Sequence, residues 1–477
     1  MIVMKFGGSC ISSIKNLEYF LREVELNLNK KPIIVVSALN GQTAELKEMA
    51  FELRPRRVRI DETEKEFRTS SERIEAAERR FNKFISYHRD YANALGIEDF
   101  LDHEIEKLNL EFINALKDTD TTFSRYRDAI LSAGERYAAR LIARFLTEND
   151  IEAVAHDSFN LGLVTDSNYG NATPELDSLK DIRKGIQELD KKITHVVTGF
   201  IAKNIQGNIT TMGPNSSDDT AVLMAIAGNA SEVWAYKTTD GILSAQPDLI
   251  RNPRRIPSLD YHEAYEIASS GADVMSATSI GLAHLKGKKL KVKSLKNPEI
   301  FTTISEESNK ERKGIKAVVS KNNITIVRLE SPYMVGRPGY AARVYEILAG
   351  HGISIDVIST SGVVISSTLD PHTNDRKRKD EEINLSRLER MLHGFGKFTI
   401  TKENAVISLI GPGVIYDSSS IINRTMSMLK REKIPVRMDS LAEGSCNYRF
   451  VIDQKHEESA VRSLYHEFLT WDTASFK

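Results

Sequence analysis

The first candidate for chemistry is a lysine followed by a glycine pair, Lys5-Phe6-Gly7-Gly8-Ser9. Ile2 to Met4 are apolar and strand-forming, so the lysine stands where a predicted strand gives way to a turn. Glycines at such a turn let backbone N–H groups approach a phosphate closely, and a neighbouring lysine adds a mobile positive charge for a phosphoryl group in transfer. The segment therefore indicates a phosphate-binding turn, with an ordinary tight turn as the alternative.

A second group of polar side chains follows a short apolar run at 32–36. Ser37, Asn40 and Thr43 supply hydroxyl and amide groups just beyond this predicted strand. Ligands in open α/β sheets bind at the carboxyl ends of strands. Ser37 and Thr43 are therefore candidates to line a ligand pocket, and the polar loop at 165–170 suits a hydrogen-bonded polar substrate.

Two acidic segments complete the candidates. Glu135 follows a glycine at a predicted helix start, where it either holds a substrate ammonium or only favours the helix dipole. Asp218 and Asp219 follow hydroxyl residues, including Ser217, at the predicted start of an apolar helix over 221–227. They are suited to orient a cation or to hold Mg²⁺ against phosphates. Helix capping alone is the alternative.

The elements that must position these residues alternate between short strands and helices. Apolar runs at 32–36, 194–197 and 233–236 are separated by helical stretches, which is typical of a layered α/β domain. Between 54 and 116 the chain is highly charged, and we interpret this region as a long amphipathic helix with a solvated outer face.

Length and composition narrow the class of protein. A chain of 477 residues is too long for one core, so we expect two or three domains. The chain has 65 Lys and Arg residues and 66 Asp and Glu residues, so its net charge is close to zero. The absence of a basic excess does not favour nucleic acid as a partner. There is no apolar run long enough for a membrane span and no signal-peptide pattern at the start. The only cysteines, Cys10 and Cys446, form neither a disulfide framework nor a zinc site. We expect a soluble, cytoplasmic protein.

The region after 324 contains an internal repeat with an offset of about eighty residues. Strands at 324–329 and 405–410 are each followed by a Gly/Pro turn, by helices at 341–348 and 420–430, and by strands from Ile353 and Ile434. The charged stretch at 375–382 between the copies is interpreted as a loop. Two βαββ units of this kind often bind small molecules at their mutual interface, and a dimerisation platform without a ligand is the alternative.

Taken in order, these segments resemble the aspartokinases, a branch of the amino-acid kinase family, nearly end to end. Lys5 to Ser9 resembles the opening KFGG(T/S) motif, and Gly134-Glu135-Arg136 resembles the GER motif. The segments at 37–43, 165–170 and 197–200 are similar to the SA…T, TD-x-N-(F/Y)-G and VTGF motifs. The later repeat resembles tandem ACT domains, with 334–339 and 354–361 close to the effector-binding helix and strand.

The resemblance implies a fold, a reaction and partners. The fold is α/β: a three-layer αβα amino-acid kinase domain over 1–310, then two ACT-like βαββαβ domains at 320–400 and 401–477, the first completed by the chain end. The reaction moves the γ-phosphoryl group of ATP, with Mg²⁺, to the side-chain carboxylate of L-aspartate or a related small amino acid. A homodimer through the ACT domains and an amino-acid effector, lysine or threonine, are also implied.

The resemblance also assigns residues to roles. Lys5 and Asp218 are the catalytic pair. The nucleotide-binding residues are Gly7, Gly8, Ser9, Ser217, Thr238 and Asp240. The substrate-binding residues are Ser37, Thr43, Glu135 and Thr198. The effector residues are Met334, Gly336, Ser354, Asp356 and Thr360. No residue is assigned to a resident metal.

The chain departs from the family pattern in the nucleotide and substrate motifs. Pro214 stands where an arginine is expected to clamp the substrate carboxylate, and proline offers neither charge nor N–H. Asp273 replaces a lysine expected near the ATP phosphates. In the nucleotide segment, Thr238, Leu243 and Asp248 replace an aspartate, a tyrosine and an arginine. Lys203, Lys237 and Lys293 are candidates to replace the lost cations in space.

Three functions follow from this mixture. The first is a working aspartate kinase with a divergent nucleotide pocket. The second is a catalytically impaired pseudokinase, or a kinase of a different amino acid, that acts as an ACT-based sensor or partner subunit. The third is a pure amino-acid-binding regulator, whose melting temperature ATP should not raise.

Overall fold

The computed structural model describes residues 1–52, 57–60, 63–66, 71–97, 103–117, 122–272, 274–306, 313–351, 353–369 and 388–470. The predicted loop at 375–382 and the aspartate at 273 lie outside these residues. The chain divides into two compact units. The N-terminal unit comprises Met1–Ile242, Pro257–Tyr261 and Val274–Ser308, and the C-terminal unit comprises Leu243–Ile256, His262–Asp273 and Asn309–Lys477.

In the described part of the chain, thirteen strands precede residue 305. They are β1 (Val3–Phe6), β2 (Ile33–Val36), β3 (Arg57–Ile60), β4 (Thr63–Glu66), β5 (Ala153–His156), β6 (Val164–Thr165), β7 (Thr194–Thr198), β8 (Ile201–Asn204), β9 (Ile209–Thr211), β10 (Glu232–Lys237), β11 (Ser258–Leu259), β12 (Lys289–Ser294) and β13 (Phe301–Ile304). Eight of them form one sheet in the order β11-β13-β12-β10-β1-β2-β7-β5. Every neighbouring pair in it is parallel except β12–β13.

Helices cover both faces of this sheet, which confirms the predicted three-layer αβα architecture. The helices up to residue 285 are α1 (Gly8–Ile11), α2 (Ile14–Asn27), α3 (Gln42–Glu52), α4 (Ser71–Ala94), α5 (His103–Lys117), α6 (Phe123–Glu148), α7 (Leu179–Gln187), α8 (Ser217–Ala227), α9 (Tyr261–Ser269) and α10 (Ala277–Leu285). Helices α2 and α6 share a core with one face of the sheet, and α8 packs on the opposite face together with α7 and α10.

The charged region at 54–116 does not form one long helix. The β3–β4 hairpin and helices α4 and α5 occupy its described part. Phe81 and Phe84 of α4 and Phe112 of α5 are buried side by side. Two amphipathic helices, rather than one, therefore bury apolar side chains against each other.

The C-terminal unit is built on a second, antiparallel sheet. Its strands are β14 (Ala317–Glu330), β15 (Ile355–Thr360), β16 (Val364–Leu369), β17 (Lys397–Ile410), β18 (Met438–Ser440) and β19 (Asn447–Asp453), in the order β15-β16-β14-β17-β19-β18. Its helices include α11 (Tyr340–Gly350), α12 (Gly413–Tyr416), α13 (Ser418–Arg431) and α14 (Glu457–Tyr465). The second half of the strand order mirrors the first, as a repeat of two βαββ units requires.

The paired strands β14 and β17 are longer than the sequence pattern predicted. They run antiparallel from the Ala317–Ile410 pair to the Glu330–Lys397 pair, so each repeat continues the other's sheet. Helix α14 at the chain end packs against β14, β17 and α13. Segments 243–256 and 262–273 join this unit through a 2.8 Å hydrogen bond from Val318 N–H to Ser244 O and a 2.7 Å ion pair between Lys316 and Glu263.

Among the residues that the structure describes, no helix has both the length and the apolar character needed to cross a bilayer.

Candidate active site

The parallel strands of the N-terminal sheet end at one common level. Phe6 of β1 is in register with Val36 of β2 and with Tyr236 of β10, and Val36 is in register with Thr198 of β7. The residues that follow these strands therefore meet at one edge of the sheet. Ser37 N–H donates to Phe6 O at 3.3 Å, and Gly199 N–H donates to Val36 O at 2.8 Å. This edge is where an open α/β sheet binds its ligands.

Lys5 and Asp218 form a buried ion pair at this edge. Successive side chains of a strand point to opposite faces, so the neighbours of Lys5, Met4 and Phe6, enter the core formed with α2 and α6. Lys5 points to the other face, where α8 begins. Its Nζ lies 2.8 Å from Oδ1 of Asp218, and both side chains are at most 6% exposed. The sequence therefore predicted the two residues, and the strand alternation explains why they meet.

Ser276 holds the acidic pair from the other side, a contact that the sequence analysis did not predict. Its backbone N–H donates to Oδ2 of Asp218 at 3.1 Å, and its hydroxyl donates to Oδ1 of Asp219. Ser276 also caps α10, because its Oγ accepts from Ser279 N–H. Burial, together with the charge of Asp218, raises the pKa of Asp219 to about 7. A serine before a helix was the only sequence signal for this residue.

Glu135 does not lie at a helix start, so that prediction was wrong. It stands in the middle of α6, which runs unbroken from Phe123 to Glu148. The preceding glycine serves close packing instead, since a Cβ at Gly134 would lie 2.8 Å from the Cβ of Ala38. This approach lets Ala38 N–H donate to Oε1 of Glu135 at 3.2 Å. The helix-dipole explanation for this carboxylate therefore does not apply.

The second carboxylate oxygen of Glu135 is not satisfied by the described residues. Oε2 is buried and has no hydrogen-bond partner among the described residues. Burial raises the pKa of Glu135 from 4.5 to about 8. A buried, half-satisfied carboxylate of this kind is stabilised when a cation such as an ammonium group binds it.

The serines predicted for two different roles are in contact. Ser37 Oγ donates to Ser217 Oγ at 2.9 Å. Gly199 allows this approach, because a Cβ there would lie 2.6 Å from Ser217 Oγ. The Thr198 hydroxyl accepts a 2.9 Å hydrogen bond from Ser158 N–H, and Thr43 is half-buried at the second position of α3. Ser37 thus follows β2 and Thr198 ends the neighbouring strand β7, although Thr198 already has a partner.

The glycine turn after β1 packs against the turn after β2. A Cβ on Gly8 would collide with the carbonyl oxygen of Ala38 and lie 3.2 Å from Asn40 N. Gly7 precedes the short helix α1 and Ser9 is exposed within it. Thr238 and Asp240 are exposed just after β10. These nucleotide candidates therefore follow adjacent strands β1 and β10 and include solvent-exposed side chains.

The polar loop at 165–170 is anchored by a buried aspartate that the sequence analysis did not single out. Oδ2 of Asp128 accepts from Gly170 N–H at 2.7 Å and from Thr211 N–H at 2.8 Å. Asp128 belongs to α6, two turns before Glu135. Burial raises its pKa, while Arg127 and the two N–H donors oppose this effect.

The three lysines considered as substitute cations lie in different surroundings. Lys203 Nζ is 4.2 Å from the centre of the Phe159 ring. Lys293 Nζ is 3.4 Å from Glu23 Oε2 and 4.1 Å from the Trp234 ring. Lys237 ends β10 at the candidate site. Burial raises the pKa of Cys10, and the charges of Lys5 and Lys237 oppose this effect. Of the three, Lys237 stands at the sheet edge where the glycine turn lies.

The predicted effector residues belong to the C-terminal unit. Met334 ends a short 3₁₀ helix, Gly336 has a φ of 66°, and Ser354 directly precedes β15, which carries Asp356 and Thr360. Asp356 is already ion-paired: Oδ1 lies 3.0 Å from Arg449 and Oδ2 lies 3.2 Å from Lys321. An ammonium group bound by Asp356 must therefore compete with two cations of the chain itself.

No group of three or more His, Cys, Asp or Glu side chains in the described part of the chain is arranged to hold a metal ion. Asp218 and Asp219 nevertheless offer two adjacent carboxylates beside Lys5, a donor set that suits a hard cation arriving with a nucleotide.

Comparison with known proteins identifies the family. The model of the amino acid kinase family matches residues 1–294. The chain belongs to the amino acid kinase family. It resembles the chloroplastic aspartokinase 2 of Arabidopsis thaliana, with 28% identity over 98% of this chain and 84% of that protein. It also resembles the lysine-sensitive aspartokinase 3 of Escherichia coli (strain K12), with 27% identity over 98% of each chain.

The fold has a close match among solved structures. A crystal structure of Escherichia coli aspartokinase III in complex with aspartate and ADP matches with a TM-score of 0.81 at 23% identity, covering 98% of this chain and 99% of that one. The resemblance to aspartokinases and the predicted fold class are both confirmed by these findings.

Proposed function

We propose that this protein is an aspartate kinase, which transfers the γ-phosphoryl group of ATP to the side-chain carboxylate of L-aspartate and forms 4-phospho-L-aspartate. The observation that carries the proposal is the buried Lys5–Asp218 pair at the sheet edge. Glu135, which Ala38 N–H ties to the turn after β2, adds a buried oxygen without a partner among the described residues. The similarity to aspartokinases over 98% of the chain supports the choice of substrate.

The acceptor carboxylate is ionised at neutral pH, so the reaction needs no strong general base. Catalysis then consists of alignment and charge neutralisation. The Lys5 ammonium stabilises the charge on the phosphoryl group in transfer, and Asp218 orients that ammonium. Glu135 binds the substrate ammonium through Oε2, and Ser37, Thr43 and Thr198 line the acceptor pocket.

The nucleotide lies along the same sheet edge. Gly7, Gly8 and Ser9 hold its phosphates, with Ser217, Thr238 and Asp240 beside them. Lys237, which ends β10 at this edge, is the candidate cation for the ATP phosphates. Asp218 and Asp219 are the residues that would hold Mg²⁺, and the ion would neutralise phosphate charge there.

Regulation is assigned to the ACT-like domains at 320–400 and 401–477. We infer that lysine or threonine binds among Met334, Gly336, Ser354, Asp356 and Thr360, and that two copies of the chain associate through these domains. Isothermal titration calorimetry with lysine and with threonine tests this assignment. The absence of binding heat with both amino acids would exclude them as effectors.

The reaction is tested by incubating the pure protein with Mg-ATP and aspartate, measuring ADP and trapping the acyl phosphate with hydroxylamine. Lys5→Ala should lower turnover by about a hundredfold or more, as loss of an electrostatic catalytic group does. Lys289→Ala is the matched control, because Lys289 begins β12 at the opposite end of the sheet and its side chain is 44% exposed. Wild-type turnover in Lys5→Ala would exclude the proposed role.

A catalytically impaired sensor is the second candidate, favoured by the proline at 214 and the exposed, altered nucleotide segment after β10. It predicts no acyl phosphate and no rise in melting temperature with ATP.

A further inference from the structure

A substrate with three charged groups needs three complements. In the proposed function, Glu135 binds the aspartate ammonium and the side-chain carboxylate faces Lys5. The α-carboxylate has no assigned cation, because the chain has proline at 214. A carboxylate in a partly desolvated pocket requires charge-assisted donors.

Arg127 offers such donors on the helix that carries Glu135. Its Nε and one Nη2 proton donate to Oδ1 of Asp128 at 3.1 and 2.9 Å, which fixes the plane of the guanidinium. Nη1 donates to no other group among the described residues, and the side chain is 24% exposed. The group is thus held in place yet has donors available to a ligand.

The guanidinium lies against the polar loop at its last residue. Gly170 has a φ of 86°, and a Cβ there would collide with the Arg127 guanidinium. The next residue, Asn171, packs on Gly213, since a Cβ on Gly213 would lie 2.7 Å from Asn171 Oδ1. The loop that ends at Gly170 and Asn171 therefore contacts Arg127 on one side and Gly213, the residue before Pro214, on the other.

A second unsatisfied group stands beside the same aspartate. Asp128 Oδ2 accepts from Thr211 N–H, and the Thr211 hydroxyl is buried with no hydrogen-bond partner among the described residues. Asp128 thus binds the loop at Gly170, the end of β9 at Thr211 and the guanidinium of Arg127. A buried hydroxyl without a partner is costly unless a ligand or water satisfies it.

We propose that Arg127 binds the α-carboxylate of the acceptor amino acid through its Nη donors and so determines specificity for an acceptor that carries this carboxylate. The inference rests on the proposed function. It assigns carboxylate binding to Arg127, whereas the family pattern expects the arginine at position 214. Asp128 acts as a positioning residue, because it orients Arg127 and anchors Gly170.

The test compares L-aspartate with its α-amide, which keeps the ammonium and the side-chain carboxylate but loses the α charge. In the wild type, kcat/KM should favour aspartate by about 10- to 100-fold, the size of one charge-assisted contact. Arg127→Gln should remove most of this preference by lowering kcat/KM for aspartate while leaving the α-amide nearly unchanged. Arg127→Lys should retain part of it.

Arg144→Gln is the matched control, because Arg144 lies on the same helix in an exposed pair with Glu148 and should keep the full preference. A uniform loss for both acceptors in Arg127→Gln would overturn the inference and leave Arg127 a structural residue. Circular dichroism and melting temperature identify a variant that fails to fold, in which case Arg127→Lys decides. Absence of product from both acceptors in the wild type would instead refute the proposed function.

Discussion

Glu135 accepts a 3.2 Å hydrogen bond from the backbone N–H of Ala38, which ties the middle of α6 to the turn that follows β2. The contact satisfies one carboxylate oxygen and leaves the other buried without a partner among the described residues. Because burial raises the pKa of this group to about 8, the empty protein carries Glu135 largely protonated at neutral pH. In the proposed function, where Glu135 binds the substrate ammonium, substrate binding and ionisation of Glu135 are therefore linked.

The first prediction concerns this linkage. An ammonium group binds the carboxylate and not the acid, so KM for aspartate should fall as the pH rises from about 6.5 to about 8.5. Steady-state kinetics across this range measure the effect. Glu135→Gln should raise KM and abolish the slope, whereas an unchanged slope in this variant would assign the titration to another group.

The second prediction concerns the stability of the folded protein, which should fall as the pH rises while the affinity for aspartate increases. The folded pKa of Glu135 lies above its ordinary value of 4.5, so ionisation destabilises the folded protein increasingly as the pH rises from 4.5 through about 8. Glu135→Gln should gain melting temperature over the wild type at pH 8.5 and show no such gain at pH 4. Equal differences at both pH values would contradict the raised pKa.

Gly8→Ala tests the glycine turn. The added methyl group meets backbone atoms of Ala38 and Asn40, which cannot move aside as a side-chain end can. We expect a loss of about 1 to 3 kcal/mol in stability and a larger KM for ATP, because the turn must shift. Gly281→Ala in α10 is the control: apart from its own helix backbone, no atom of the described residues lies within 4 Å of the added Cβ, and alanine should stabilise this helix by up to about 1 kcal/mol. A Gly8→Ala protein with unaltered ATP kinetics would remove the turn from the nucleotide site.

Arg449→Leu tests the ion pairs of the C-terminal unit. Arg449 contacts Glu266 at 2.6 Å and Asp356 at 3.0 Å, and all three side chains are mostly buried. Removing the guanidinium should cost roughly 3 kcal/mol and speed amide hydrogen exchange in β19. Arg462→Ala, which breaks an ion pair with Glu458 whose side chains are more than half exposed, should cost under about 1 kcal/mol. The same Arg449→Leu change should tighten lysine or threonine binding if Asp356 holds the effector ammonium.

Local patterns predicted several elements because those elements depend on nearby residues. The apolar run before Lys5, the glycines after it and the helix after Asp218 each carry their own signal of strand, turn or helix. The strand–helix repeat after 324 was visible for the same reason. Local patterns fail where tertiary packing decides the residue type. Gly134 predicts a helix boundary, but it lies inside α6, where the turn after β2 comes too close for a side chain.

Residues that act through distant partners gave little sequence signal. Ser276 meets Asp218 across 58 positions of chain, and Asp128 meets Thr211 across 83. Such hydrogen bonds depend on how several helices and strands pack together, and a short sequence motif carries no information about that packing.

By itself, the sequence determined the two sheets' strands in outline, the acidic and basic residues of the candidate site, and the resemblance that names the family. Only the tertiary structure decided which of these residues meet. Parallel strands in register bring Lys5, Ser37 and Asp218 to one edge. The physical reason is that chemistry-bearing side chains are chosen locally, whereas their separations are set by sheet register and helix packing over the whole unit.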